Sequence, residues 1–447
     1  MKKLLIGLGI FTLILGFVAK YIVDRSMIFT GYAAKNLASG IFVADRTQED
    51  LEAEDLNFSL VGLASSKVDY ENKIVYSDFY GFGKQKAVYR EGLGVYLEEK
   101  GKYPDATKQA QVLRSAPDGF EQEYWPRGEK IRNNLSDVFD VDKLNEALKA
   151  SFKTGNTRSI IVAYDTLAFA EIYADGFTKE SKILGWSMSK SITNAMLGIL
   201  SRKGRLDIDK PAPIDEWKED ERKNITPRSL LNMTSGLHWV EDYGDISEAT
   251  IMLYERSNHA QFAIDQPKQY PPDSVWYYSS GSSNILTEIV KRTIDNDQLY
   301  WQFPYQELFY KLSMFNTLME TDASGNFVGS SYTYATTRDW ARFGLLYLNN
   351  GIWFGDTILS PDWVKFTHTE APNSKGDYGA QFWLNRSGRE LPDAPKDTYF
   401  ADGYQGQRIY IIPSKKLVIV RMGLTKDKKS FDYNQMVVGI IDALKVE

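Results

Sequence analysis

GWSMSKSITNAMLGIL, residues 185–200, sets Ser187 and Lys190 three positions apart at the start of an apolar helix. Ile192, Met196, Ile199 and Leu200 recur at i, i+4, i+7 and i+8, the spacing of a core-facing helical stripe, and Gly204 is a suitable C-terminal stop. On the same helix Ser187, Lys190, Ser191 and Asn194 share a polar stripe near the N-terminal end. A serine hydroxyl is a poor nucleophile until a base takes its proton. A lysine serves as that base when burial and the positive end of a helix dipole lower its pKa. S-x-x-K also arises by chance as the polar rim of a core helix, so the pair needs supporting groups elsewhere in the chain.

Outward from this helix the pattern is that of an α+β protein. VDKLNEALKASFK, with Val141, Leu144, Ala147 and Leu148 at helical spacing, precedes RSIIVAYDTLAFAEIYADG, two strands turning at Asp165. Near the C-terminus RIYIIPSKKLVIVRMG is a second hairpin, turned at Pro413 and Ser414, and YNQMVVGIIDALK closes the chain as a helix. The expected fold is an antiparallel sheet flanked by these terminal helices, with a mainly helical lobe inserted between. Within the lobe, Thr226 before Pro227, Thr337 before RDWARFGLLYL, and Ser360 before Pro361 are helix starts. A crevice between lobe and sheet is where a site would form.

The first residues read differently. After Lys2 and Lys3, residues 4–19 are uncharged and mostly apolar, followed by KYIVDR. At ~1.5 Å per residue, Leu4 to Val23 is just long enough for a bilayer core of ~30 Å. Phe17, two before Ala19, spoils a cleavage site, so residues 1–27 are expected to be an uncleaved anchor rather than a removed signal sequence. The catalytic body would then lie outside the cytoplasmic membrane, or be secreted were the segment cleaved. Residues 28–136 divide into a small strand-rich extension, to about Arg90, and a polar, proline-containing connection. The principal domain is 137–447.

Composition removes several function classes. The net charge of -6 gives no basic footprint for nucleic acid. With no cysteine, disulfides and thiolate chemistry are excluded, and His238, His259 and His368 lack metal-ligand spacing, so no metal or other cofactor is implied.

WSMSKS, followed by GILSRKGRLDID, ITPRSLLNMTSGL, TTRDWARFGLLYLNNG and YGAQFWLN, resembles the serine β-lactamase and penicillin-recognising superfamily. The likeness covers about residues 137–447 and is nearest the class C-like branch of esterases, D-aminopeptidases and 6-aminohexanoate-oligomer hydrolases. It implies a β-lactamase/transpeptidase-like fold, with Ser187 as nucleophile and Lys190 as its base. Tyr278 in SVWYYSSGSSNILTEIV would take the place of the family's tyrosine, shuttling a proton. Ser280 would stand at the amide-binding position. Tyr404, Gln405 and Gly406 would replace the K-T-G or H-x-G strand motif, with Gly406 admitting the substrate closely. The N–H groups of Ser187 and Gln407 would form the oxyanion hole.

Two departures bear on substrate. Ser280 replaces an asparagine common in relatives, and Tyr404 replaces the lysine or histidine that meets a substrate carboxylate. Losing that charge-assisted bond weakens carboxylate-bearing ligands on the order of ten- to hundredfold. The expected activity is therefore hydrolysis of a small or short oligomeric ester or amide, ahead of a D,D-peptidase or β-lactamase. A cell-envelope binding or sensing module that keeps the fold without turnover is the second alternative. GWSMS also approximates the G-x-S-x-G elbow, but its last position is Ser189 and His368 has no strand-end context.

Overall fold

Strands buried on both faces read as unbroken apolar runs. In the computed structural model, which describes residues 2–103, 107–112, 114–132 and 134–445, this is the condition of the central sheet. Six antiparallel strands lie in the order β7 (Trp383–Leu384), β8 (Tyr399–Gly403), β9 (Gln407–Ile412), β10 (Leu417–Gly423), β5 (Thr157–Tyr164) and β6 (Ala168–Tyr173). Alternate residues serve different cores. Ile160, Val162, Tyr410, Ile412, Leu417 and Ile419 pack with α3 (Val141–Ala150) and α7 (Tyr433–Ile441). Ile161, Ala163, Ile409, Ile411, Val418 and Val420 face the helical lobe through α6 (Thr337–Leu348). Gly344 brings α6 close to the sheet, since a Cβ there would lie 2.6 Å from Val418 Cγ1.

The expected antiparallel sheet and its two covering helices are thus present. In the lobe, Thr226 caps its helix in a reciprocal pair with Ser229, and Ser360 caps before Pro361. α6 is capped by Thr336, one residue earlier than expected. The two helices that meet at the crevice are α4 (Ser189–Arg202) and α5 (Ser280–Ile294).

The extension differs from expectation. A four-stranded antiparallel meander, β1 (Ser65–Asp69), β2 (Ile74–Phe79), β3 (Phe82–Arg90) and β4 (Gly94–Leu97), accounts for its second half. The first half is helical: α2 (Ser26–Phe42), then short helical turns to Leu63. Phe29, Ala33, Ala34, Leu37 and Ala38 are buried, and so are Thr30, Lys35 and Ser39 between them. A helix enclosed on several sides has no single apolar stripe, which is why its sequence does not announce it. Gly31 lets it close on the lobe, where a Cβ would stand 2.9 Å from that of Tyr254.

Charge pairs fasten the extension to the domain. Lys35 Nζ donates to Glu320 Oε2 at 2.5 Å and sits 3.9 Å from the centre of the Tyr332 ring, while Ser39 and the Val95 N–H also bond the Glu320 carboxylate. Arg158 on β5 binds Glu54 and Asp55. The connection before α3 is pinned likewise, with Trp125 against Phe169 at 4.3 Å and Glu129 gripped by Arg338 and Arg342.

Before α2 runs α1 (Lys2–Asp24), where Ile6, Phe11, Leu13 and Phe17 are exposed. Among the described residues no helix is long and apolar enough to cross a membrane. The side chains of Leu4, Leu5, Leu8, Thr12 and Leu15 lie outside the described set, so the expected anchor falls partly outside it.

Removing one member of a buried ion pair leaves the other charge stranded, at a cost of roughly 3–5 kcal/mol. Lys35→Met is therefore expected to lower unfolding free energy by about that amount in urea titration. Adding Glu320→Gln should recover a large part of the loss; a neutral single variant would show that the pair does not hold the extension.

Candidate active site

The nucleophile turn begins with an unusual backbone. Trp186, a bulky residue, has φ +48°, in the left-handed region that disfavours side chains. Its indole is held on three sides, stacked on Tyr32 of α2 at 5.9 Å, tilted on Tyr332 at 6.0 Å and edge-on to Tyr404 at 5.6 Å. Ser187 follows, half-buried, in a short turn leading into α4.

Lys190, one turn on, is buried, and its ammonium nitrogen makes three bonds: to Ser187 Oγ at 3.1 Å, Ser280 Oγ at 3.0 Å and the Ser330 carbonyl at 3.0 Å. Burial pushes its pKa down to about 8, with the carboxylates of Glu241 and Asp402 pulling the other way. The Tyr278 ring centre lies 4.8 Å from the same nitrogen. Burial raises the Tyr278 phenol well above its ordinary pKa, neighbouring Tyr378 and Glu241 add to the effect, and a hydrogen bond with Ser187 opposes it. The two groups are driven apart: lysine toward the neutral amine, tyrosine toward the neutral phenol. That separation divides base from acid.

Ser187, Lys190 and Tyr278 are therefore brought together. The rest of the polar stripe on α4 is structural: Ser191 Oγ donates to the Gln381 carbonyl, and Asn194 ties Ala380, Tyr347 and Trp363 together.

Two expectations require correction. Ser280 does not face a substrate amide; its hydroxyl is fully buried, accepting from Lys190 and donating to Glu241 Oε1 at 2.5 Å. Gly406 does not admit a substrate either, since a Cβ on it would meet Arg421 and the Tyr433 hydroxyl beside the sheet. Gln407 opens β9 paired with Gly403, and its side-chain amide, as distinct from its N–H, is fastened to Gly423. The backbone against the nucleophile turn is instead Gly403, at the end of β8, where a Cβ would be 2.2 Å from the Gly185 carbonyl oxygen. Two glycines three apart in ADGYQGQ allow either register, and only the pairing of Gly403 with Gln407 separates them. Tyr404 does line the pocket, half-exposed beside Tyr243 at 6.2 Å.

Sequence reasoning missed Glu241. Its carboxylate accepts from Trp239 Nε1 at 2.5 Å, Tyr243 Oη at 2.7 Å and both the N–H and hydroxyl of Ser280, and it rests at the N-terminus of α5. In HWVEDYGD it is one of several acidic loop residues with no periodic or motif signal. Ser330 was missed for a related reason, because it acts through its carbonyl.

At Ser187 opens a pocket of about 820 Å³, open solvent at its mouth included. Trp186, Tyr254 and Tyr404 line it together with Ile28, Phe29 and Phe58 of the extension.

The beta-lactamase family profile matches residues 170–439, which contain Ser187, Lys190, Glu241 and Tyr278 and leave the extension outside. A 6-aminohexanoate-dimer hydrolase of Paenarthrobacter ureafaciens is 23% identical over 317 residues, 64% of this chain and 77% of that protein. A Bacillus anthracis protein carrying a provisional name for the same hydrolase superimposes with TM-score 0.56 at 22% identity, over 70% of this chain and 84% of that one. A family VIII carboxylesterase superimposes with TM-score 0.55 at 16% identity, over 70% of this chain and 97% of that one. With the profile spanning more than half its length, the chain belongs to the beta-lactamase family.

Proposed function

We propose that the protein is a serine hydrolase that cleaves an ester or amide through an acyl-enzyme on Ser187. The observation that carries this reading is the buried Lys190 amine 3.1 Å from the Ser187 hydroxyl, with its pKa lowered to about 8. Ser187 Oγ attacks the substrate carbonyl carbon as its proton passes to the neutral Lys190 amine. The Tyr278 phenol donates its proton to the leaving group and regains one from Lys190. Water then repeats the sequence on the acyl-enzyme and restores Ser187. The oxyanion is assigned to the Ser187 N–H and to the backbone at Gly403 and Tyr404 in place of Gln407, because that strand end lies against Gly185. The hydrolase names of the relatives above support the reaction class.

An ester or non-lactam amide is favoured over a β-lactam or D-Ala-D-Ala terminus. Among the residues lining the pocket the one cation is Arg25, already paired with Asp245 at 2.6 Å. The same reading keeps the protein on a membrane through its N-terminal helix, with the catalytic body outside the cytoplasm; the exposed apolar residues of α1 support it.

Intact mass after exposure to a fluorophosphonate should show one adduct that Ser187→Ala abolishes, with ester hydrolysis falling at least roughly a thousandfold. No adduct on folded wild-type protein would leave a binding module as the better account. Tyr278→Phe should cost roughly 10²–10⁴ in kcat.

The kcat/KM for an ester should rise with pH through a limb centred about pH 8, because only the neutral amine accepts a proton and burial has brought that state within reach. Glu241 stabilises the ammonium, so Glu241→Gln should move the limb to lower pH; a limb that stays fixed or moves up would show that Lys190 is not the titrating base.

A further inference from the structure

The pocket over Ser187 is shared between two parts of the chain. Ile28, Phe29 and Tyr32 come from α2 and Phe58, Leu60 and Val61 from the helical turns after it, all before the family match begins at residue 170. Trp186 and Tyr254, both in ring contact with Tyr32, complete the lining. The walls above the nucleophile are thus largely aromatic and aliphatic, and the charges sit at one edge, where Arg25 pairs with the exposed Asp245. Arg25 is also the residue at which α1 gives way to α2, so the apolar α1 leaves the body beside this pocket.

Resting on the acyl-enzyme reading, we infer that the extension builds a tail site and that the substrate is an amphiphile, an ester or amide whose acyl or alkyl chain lies along Ile28, Phe58 and Leu60 while its carbonyl meets Ser187. A short polar substrate would leave the half-buried Ile28, Phe58 and Leu60 facing water in the complex. A chain of several methylenes would cover them, and each methylene removed from water favours binding by roughly three- to fourfold. On the membrane placement proposed above, proximity to α1 suits a substrate drawn from that surface, because such a molecule presents its polar end first and its tail along the apolar helix.

The test uses full-length protein in phosphatidylcholine nanodiscs and p-nitrophenyl esters from acetate to dodecanoate. Wild type should favour octanoate or decanoate over acetate in kcat/KM by at least roughly a hundredfold. Leu60→Trp, which fills the tail site from the extension side, should reduce that preference at least tenfold, and Leu60→Met should retain it. Partitioning of the esters into the bilayer is common to all three proteins and cancels in the comparison. A flat or falling chain-length profile in wild type, or a preference that Leu60→Trp leaves intact, overturns the tail site while the esterase stands. If Leu60→Trp does not fold, Leu60→Phe and the wild-type profile decide the question. Absence of turnover at every length, together with no fluorophosphonate adduct, removes the acyl-enzyme reading itself.

Discussion

A lysine can be kept from water only if its three N–H bonds are met, and at Lys190 they are met by three separate segments. The turn before α4 supplies Ser187 Oγ, the first residue of α5 supplies Ser280 Oγ, and the loop before α6 supplies the Ser330 carbonyl. None of these partners is an anion, so the amine is satisfied geometrically without being locked in its charged form. The Glu241 carboxylate acts from behind Ser280. Direct contact would hold the proton on lysine, and one intervening hydroxyl weakens the field enough for burial to prevail. The lobe packs its helices so that this arrangement closes.

Much of that arrangement was legible. S-x-x-K on an apolar helix singles out Ser187 and Lys190 by spacing, Tyr278 comes from the family resemblance of SVWYYSSGSSN, and the structure brings Ser187 and the Tyr278 ring to the Lys190 nitrogen. The sheet was legible too, since strands covered on both faces leave long apolar runs bounded by turn residues. What escaped notice acts by position. Ser330 works through its backbone, and Glu241 through a loop whose course is set by Trp239 and Ser280. The register of ADGYQGQ was misjudged because glycine at 403 and at 406 each suits a turn, one against Gly185 and the other against Arg421. Residues 28–42 fall within the strand-rich expectation because a helix buried around most of its girth, and lined with alanine, glycine and serine, has no amphipathic period.

The extension is accordingly no appendage. Its buried Lys35–Glu320 pair fixes α2 to the segment that, ten residues later, supplies Ser330, so the strut and the Lys190 contact share one stretch of chain. Arg158 binds Glu54 and Asp55 at the other end, from β5, which lies next to the edge strand β6. Sheet, lobe and extension therefore meet around the nucleophile from three directions.

Trp186 is where they converge. A non-glycine residue at φ +48° costs on the order of 1–3 kcal/mol, and it sits immediately before the nucleophile, where the chain must turn sharply enough to point Ser187 into the crevice. Three aromatic contacts, each worth about 0.5–1.5 kcal/mol beyond area burial, offset that strain. Two of them, Tyr332 and Tyr404, belong to the domain, and their sum alone only just reaches the cost. Tyr32, stacked at an interplanar angle of 22°, supplies the margin from α2. The residue that completes the tail pocket is thus also one that holds the nucleophile turn in its strained form, and shape of the binding site and aim of the serine depend on the same ring.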